Sequence, residues 1–160
     1  MSAEPLDGWN LRVYGLLIEN GWILLSRETY PDFKGYMNKL PGGGIRLGEG
    51  PGDALKREFH EEVGIEVELT EIHHLPTYFL RSYFENSQIL PFYFLVNRET
   101  DQIPKYMNNE IIKGVSVSQE FYWARLEDLH PDMMTFPFDK EALEKLLVSM
   151  PQNSQRTLVL

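Results

Sequence analysis

Residues Pro41 to Ile65 read PGGGIRLGEGPGDALKREFHEEVGI, and the two halves of this stretch have different physical characters. The first is dense in glycine. Gly42, Gly43, Gly44, Gly48, Gly50 and Gly52 give a backbone without Cβ atoms, able to take positive φ and to approach a ligand closely. The second half predicts a helix. Pro51 suits a first helical turn, Asp53 complements the positive end of the helix dipole, and Ala54, Leu55, Phe59 and Val63 form an apolar stripe that Gly64 ends.

Three carboxylates crowd one side of that helix. At 100° per residue Glu58 lies i,i+4 from Glu62 and i,i+3 from Glu61, which places all three within roughly 100° of arc. Like charges at such spacings destabilise an isolated helix by about 0.2–0.5 kcal/mol a pair. A hard divalent cation, Mg²⁺ or Mn²⁺, offsets the repulsion, because it takes carboxylate oxygens and keeps positions for water and phosphate oxygens. The competing reading is a solvated acidic face behind a flexible loop. Such a face has no need of a glycine loop at a fixed distance, nor of Arg57 set to reach both Glu61, at i,i+4, and Glu49 across the loop.

Gly43, Glu49 and the run Arg57-Glu58-Phe59-His60-Glu61-Glu62-Val63-Gly64-Ile65 resemble the Nudix box, G-x5-E-x7-R-E-U-x-E-E-x-G-U with U apolar, at every specified position. At ordinary background usage, a chance match of its fixed identities has a probability below about one in 10⁷ per start. The resemblance implies the Nudix fold, an α/β class α/β/α sandwich with a mixed central β-sheet. It also implies hydrolysis of a nucleoside diphosphate linked to another moiety, by a water that a metal activates. By position in the motif, Glu58, Glu61 and Glu62 would ligate Mg²⁺ or Mn²⁺, one of them serving as base, with the main-chain carbonyl of Gly42 as a further ligand. Gly43, Glu49 and Arg57 would support the site, loop clamped to helix. Family members often add an acidic group from beyond the box, and Glu120, just before Trp123, is the candidate here, ahead of Glu110, Glu99 and Asp101. Lys39 and Arg46, beside the glycine loop, could meet phosphate charge or could simply be solvated.

Substrate is less legible. The family's ADP-ribose members tend to carry a proline at the position held here by Arg81, and its dinucleoside-polyphosphate members a tyrosine near the position of Tyr83. Tyr83 is therefore a candidate base-stacking residue, against the ordinary role of an aromatic on a sheet. Two other function classes share the fold. Nucleotide-binding sensors usually carry a damaged box and a DNA-binding extension, and the isomerases rely on a cysteine.

At 160 residues, 42% hydrophobic and 24% charged, the sequence fits a single domain spanning 1–160. A formal charge of −9 argues against general nucleic-acid or anionic-membrane binding, which needs clustered Lys and Arg, while a small nucleoside diphosphate derivative held through a metal stays compatible. With no cysteine there is no disulfide framework, thiolate metal site or cysteine nucleophile. The N-terminus has neither a basic n-region nor an apolar h-region, so a cytoplasmic protein is expected, with a homodimer left open.

Along the chain, Leu11 to Ile18 and Trp22 to Arg27 flank Asn20-Gly21 and predict a two-residue hairpin. Glu28 to Asn38 reads as a loop, and Lys39-Leu40-Pro41 as a short strand entering the glycine loop. Glu66 to Ile72 alternates as a strand, and the adjacent His73 and His74 would point to opposite faces. Tyr78 to Phe84 and Ile89 to Val96 predict two aromatic-rich strands, with Pro91 marking a late start or an edge. Asn97 to Gly114 reads as an exposed loop, Val115 to Ala124 as a strand, and Phe138 to Met150 as a helix capped by Asp139 with Ala142, Leu143, Leu146, Leu147 and Met150 as its core stripe. Thr157 to Leu160 would fray or pair with a strand.

Overall fold

Asn20 and Gly21 both have positive φ, 49° and 83°, as a two-residue type I′ turn requires. The turn joins two antiparallel strands, β1 (Trp9–Glu19) and β2 (Trp22–Tyr30), the hairpin that the apolar runs predict. The other strands are β3 (Phe33–Lys39), β4 (Gly42–Gly44), β5 (Val67–His74), β6 (Gln88–Arg98), β7 (Met107–Ile112) and β8 (Val115–Arg125). Two α-helices complete the described chain, α1 (Pro51–Glu58) and α2 (Pro137–Ser149), with a π-helical turn over Phe59–Val63 and two short 3₁₀ turns. The computed structural model describes residues 4–150. Among these no helix is long and apolar enough to cross a membrane.

The described chain divides into two compact units, one of residues 4–15 with 41–105 and one of residues 16–40 with 106–150. In the first, the strand order is β5-β6-β1, and β4 pairs antiparallel with β1 in the register Arg12↔Gly44, Val13↔Gly43, Tyr14↔Gly42. Its buried side chains come from β1 (Val13, Tyr14), from the helix (Ala54, Leu55, Phe59, Val63) and from β5 and β6 (Val67, Tyr93, Val96). The stripe predicted for the helix is thus core. In the second unit β2 lies between β3 and β8, and β7 pairs with β8. Ala142, Leu143 and Leu146 of α2 are buried there with Phe136 and Phe138, while Leu147 and Met150 are only half-buried.

Four expectations are corrected. Glu28 to Asn38 is not a loop: β2 runs on to Tyr30 and turns at Pro31-Asp32 into β3, with Tyr30 opposite Phe33. The alternation was masked because a buried β3 position is held by a charge, the Lys39 ammonium lying 3.1 Å from Glu28 Oε2. Tyr78 to Phe84 is not a strand. It makes one isolated bridge, Arg81 to Gln88, and leaves Tyr78, Phe79 and Tyr83 exposed, since aromatic β-propensity counts only where a pleated neighbour is present. Asn97 to Gly114 holds a strand, β7, which turns into β8 through Lys113 and Gly114 at φ 50° and 75°. As the last strand in its order it is exposed along most of its length, so it shows no apolar period. Asp139 is not the cap of α2. Pro137 occupies the first helical position, Phe136 is the N-cap, and Asp139 lies buried in the first turn.

Smaller adjustments concern Pro91, which lies inside β6 but ahead of the ladder with β5 that starts at Tyr93, so its missing N–H costs that ladder nothing. His73 and His74 end β5, the first buried and the second 5.8 Å from the Tyr93 ring. Thr157 to Leu160 lies outside the described residues.

The packing of helix on β1 depends on one missing methyl group. A Cβ at Gly15 would stand 2.7 Å from Phe59 Cε2 and 2.9 Å from its Cζ. Gly15→Ala is therefore expected to destabilise the protein by about 1–3 kcal/mol, read as a lower urea midpoint at unchanged slope. In a Phe59→Leu background, where the ring is gone, the added cost should shrink.

Candidate active site

The site begins with a strand of glycines against a helix. An ideal Cβ on Gly43 would stand 2.3 Å from both Cδ and Oε1 of Glu58, so the space a side chain would need is filled by that carboxylate, which is only 9% exposed. At Gly42 a Cβ would stand 2.0 Å from the Val13 carbonyl oxygen, which ties the start of β4 closely to β1. Neither position accepts another residue without movement of backbone or of Glu58.

Arg57 joins loop to helix. Its Nε donates to Glu49 Oε1, its Nη2 to Glu49 Oε2 at 3.1 Å and to the Gly44 carbonyl at 2.8 Å, and its Nη1 to Glu58 Oε1 at 2.9 Å and Glu61 Oε2 at 3.3 Å. Those bonds use the guanidinium's full set of five N–H donors. Glu49 is held in turn by the Arg46 backbone N–H, 2.9 Å from Oε2. The hydrogen bond from Arg57, followed by that backbone N–H, holds the Glu49 carboxyl at a pKa of about 2, down from 4.5, and Glu49 pushes the guanidinium further up from its already high value. Arg57 thus makes both contacts expected of it, and two more that sequence spacing did not indicate.

Past Glu58 the helix widens. The Gly64 N–H bonds the Phe59 carbonyl at 2.8 Å, an i→i+5 ring, and Gly64 at φ 78° closes the turn. Glu61 and Glu62 therefore sit on a π turn with one more residue per ring than the 100° wheel assumes. Glu61 is exposed, with Arg46 Nη2 3.9 Å away as well as Arg57, and Glu62 is half-buried.

Among the described residues no three His, Asp or Glu side chains converge as a ready metal cage. Arg57 takes one oxygen each from Glu58 and Glu61. The donors nonetheless fit a hard cation: they are oxygens alone, on consecutive turns of one helix, with the Glu58 carboxylate seated in the cradle that Gly43 leaves.

The remaining candidates separate. Arg46 is exposed beside Glu61. Tyr83 is exposed on the irregular segment before β6. Lys39 is neither solvated nor exposed, being paired with Glu28 in the second unit. Burial alone would raise the Glu28 carboxyl, but the Lys39 charge and hydrogen bonds from Gln119, Lys39 and Ser26 carry it below its ordinary value. Glu120 lies on β8 opposite Arg27 in the ladder, Nη1 to Oε2 3.9 Å, and Glu110 is exposed on β7. Sequence reading missed Arg12, the register partner of Gly44, and Lys105, which bonds the end of the box helix. Both act across long stretches of chain, and no local spacing signals them.

The clamp has a pH signature. Glu49 ionises more readily folded than unfolded, so between 4.5 and about 2 the unfolded chain binds more protons, and the stability that Glu49 contributes above 4.5 is lost as pH falls through that window. The melting-temperature difference between wild type and Glu49→Gln should hold steady above about pH 5 and close on approach to pH 2. A difference that stays constant to the acid end would refute the clamp.

Comparison with known proteins agrees with the geometry. The family model of the NUDIX domain matches residues 9–146. No curated protein matches the chain. Among solved structures, a NUDIX hydrolase from Nitrosomonas europaea superposes with a TM-score of 0.64 at 17% identity, covering 87% of this chain and 88% of that one. A MutT protein from Methanosarcina mazei gives 0.63 at 23%, covering 90% and 95%. An ADP-ribose pyrophosphatase from Streptococcus suis gives 0.55 at 18%, covering 94% of each. With the fold shared at this level and the box complete, the chain belongs to the Nudix hydrolase family, a family of pyrophosphohydrolases.

Proposed function

We propose that this chain hydrolyses the diphosphate of a small nucleoside diphosphate derivative, using Mg²⁺ or Mn²⁺, and releases a nucleoside monophosphate and the phosphorylated remainder. The observation that carries the reading is Arg57, which fixes Glu49, Glu58 and Glu61 together beside Gly43 and Gly44. Glu58, Glu61, Glu62 and the Gly42 carbonyl would hold the cation. When bound, a divalent ion neutralises diphosphate oxygens and makes a coordinated water acidic enough to attack phosphorus in line. The chain's own part is preorganisation. Glu58 is locked between Gly43 and Arg57, so its carboxylate pays little ordering entropy on binding, while one glutamate of the set accepts the proton of the attacking water. Arg46, exposed beside Glu61, is the cation best placed for a phosphate oxygen. Two structural neighbours, an ADP-ribose pyrophosphatase and a UDP-X diphosphatase, support a nucleoside diphosphate bearing a second group as the substrate class.

A panel of nucleoside diphosphate derivatives with each metal, scored for phosphate-containing products, tests the reading. Tight binding of one member without turnover of any would instead mark a sensor. Glu62→Gln should lower turnover by about a hundredfold or more, since a neutral amide is a poor ligand for a hard cation. A metal that binds only the folded state stabilises it by about 2.7 kcal/mol at a hundredfold excess over Kd, so wild type should melt higher with Mn²⁺ and the variant's rise should shrink. A variant that keeps the full rise and still turns over would make Glu62 a structural residue. Glu120 carries over from the resemblance alone. Damage to metal dependence by Glu110→Gln, with Glu120→Gln silent, would reassign the fourth carboxylate.

A further inference from the structure

The carbonyl end of an α-helix needs donors from elsewhere, and in this box helix one distant residue supplies two of them. The Lys105 backbone N–H donates to the Val63 carbonyl at 2.7 Å, and its ammonium to the Glu61 carbonyl at 3.1 Å. Its stem runs over Gly64, where an added Cβ would stand 2.9 Å from Lys105 Cγ and 3.0 Å from Cε. The segment that delivers it is fastened just beyond the turn. Glu99 N–H donates to the Glu66 carbonyl at 2.9 Å, Gln102 Oε1 accepts the Glu66 N–H at 3.2 Å, and Arg98 Nη1 donates to the Gln102 carbonyl at 2.6 Å.

These contacts choose between two registers of the same residues. In an unbroken α-helix the Glu61 carbonyl would accept from the Ile65 N–H, by the i→i+4 rule. Here that N–H points to the Phe59 carbonyl at 3.3 Å, alongside Gly64's at 2.8 Å, and the Glu61 carbonyl is left for Lys105. The cation also stands where the helix dipole is negative. We propose that Lys105 is a positioning residue for the site: by taking the Glu61 carbonyl it holds the π register, and so sets where Glu61 and Glu62 stand relative to Glu58, itself fixed by Gly43 and Arg57. The inference rests on the hydrolase reading, in which those carboxylates hold the cation. Without the ammonium, the α register regains its missing bond and turns Glu61 and Glu62 away from the arrangement that Glu58 anchors.

Lys105→Met keeps most of the stem and removes the donor, whereas Lys105→Arg restores one. Lys105 is exposed, so both variants should fold. Three readouts apply to the full chain: amide hydrogen exchange at Gly64 and Ile65, a titration of melting temperature with Mn²⁺ alone, and kcat and KM on the substrate the panel finds. The methionine variant should slow exchange at Ile65, whose N–H then bonds the Glu61 carbonyl, need about tenfold more Mn²⁺ for the same rise, and lose about tenfold in kcat at little change in KM, with arginine recovering most of each. A methionine variant that melts lower yet keeps the wild-type Mn²⁺ titration and kcat would overturn the inference, leaving Lys105 a helix cap. Wild type showing no Mn²⁺-induced rise at all would overturn the hydrolase reading, and this inference with it, a result distinct from the first.

Discussion

One guanidinium bears most of the order in this site. Arg57 faces three carboxylates and a carbonyl, and the fork geometry of arginine lets it bond the loop with one edge and the helix with the other. A lysine at this position would bring its charge but could not span both sides. Arg57, with Arg46 3.9 Å from Glu61, sets two positive charges against Glu49, Glu58 and Glu61, which leaves the cluster negative before Glu62 is counted. On the hydrolase reading proposed above, a divalent ion offsets that excess, and the contacts that stiffen the loop hold the carboxylates ready for it.

The glycine loop and the helix are complementary halves of one device. Gly43 is small because Glu58 fills its side-chain space, and Gly64 is small because its left-handed φ closes the π turn under the Lys105 stem. These two glycines meet different neighbours for different reasons, so replacing either damages a different contact. Glu58 is held by covalent continuity with α1, by Gly43 and by Arg57, whereas Glu61 and Glu62 ride on a turn whose register is decided by bonds from outside the helix.

Much of this was legible because it is local. The box lies within Gly43 to Ile65, where helix periodicity, the capping glycine and the carboxylate spacing can all be read from one window, and Asn20-Gly21 fixes its hairpin by the φ it demands. What was hidden is what long-range pairing decides. Lys39 occupies a buried strand position because Glu28, itself held by Ser26 and Gln119, comes to it from the neighbouring strand, so a charge stands where the pattern asks for an apolar residue. The strand β7 shows no period because it is largely exposed, and Tyr78 to Phe84 has strand composition but almost no partner. Arg27 is a similar case: its guanidinium lies 5.0 Å from the Tyr122 ring centroid and 5.9 Å from that of Tyr36, with Glu120 across the ladder, and none of the four residues announces the others in sequence.

The π turn joins these two lessons. A sequence wheel drawn at 100° puts Glu58, Glu61 and Glu62 on one face and counts their repulsion as the cost of function. The observed turn inserts an extra residue into the ring, so the carboxylates are placed by a register that helix propensity does not favour. Local preference and global structure disagree at this point, as they tend to where a site must be built. The disagreement is resolved by the two donors of Lys105, on a segment that the sequence presents only as polar loop. The acidic residues are thus read from a motif, but on the inference drawn from Lys105 their geometry in this chain depends on the segment that closes over the motif's end.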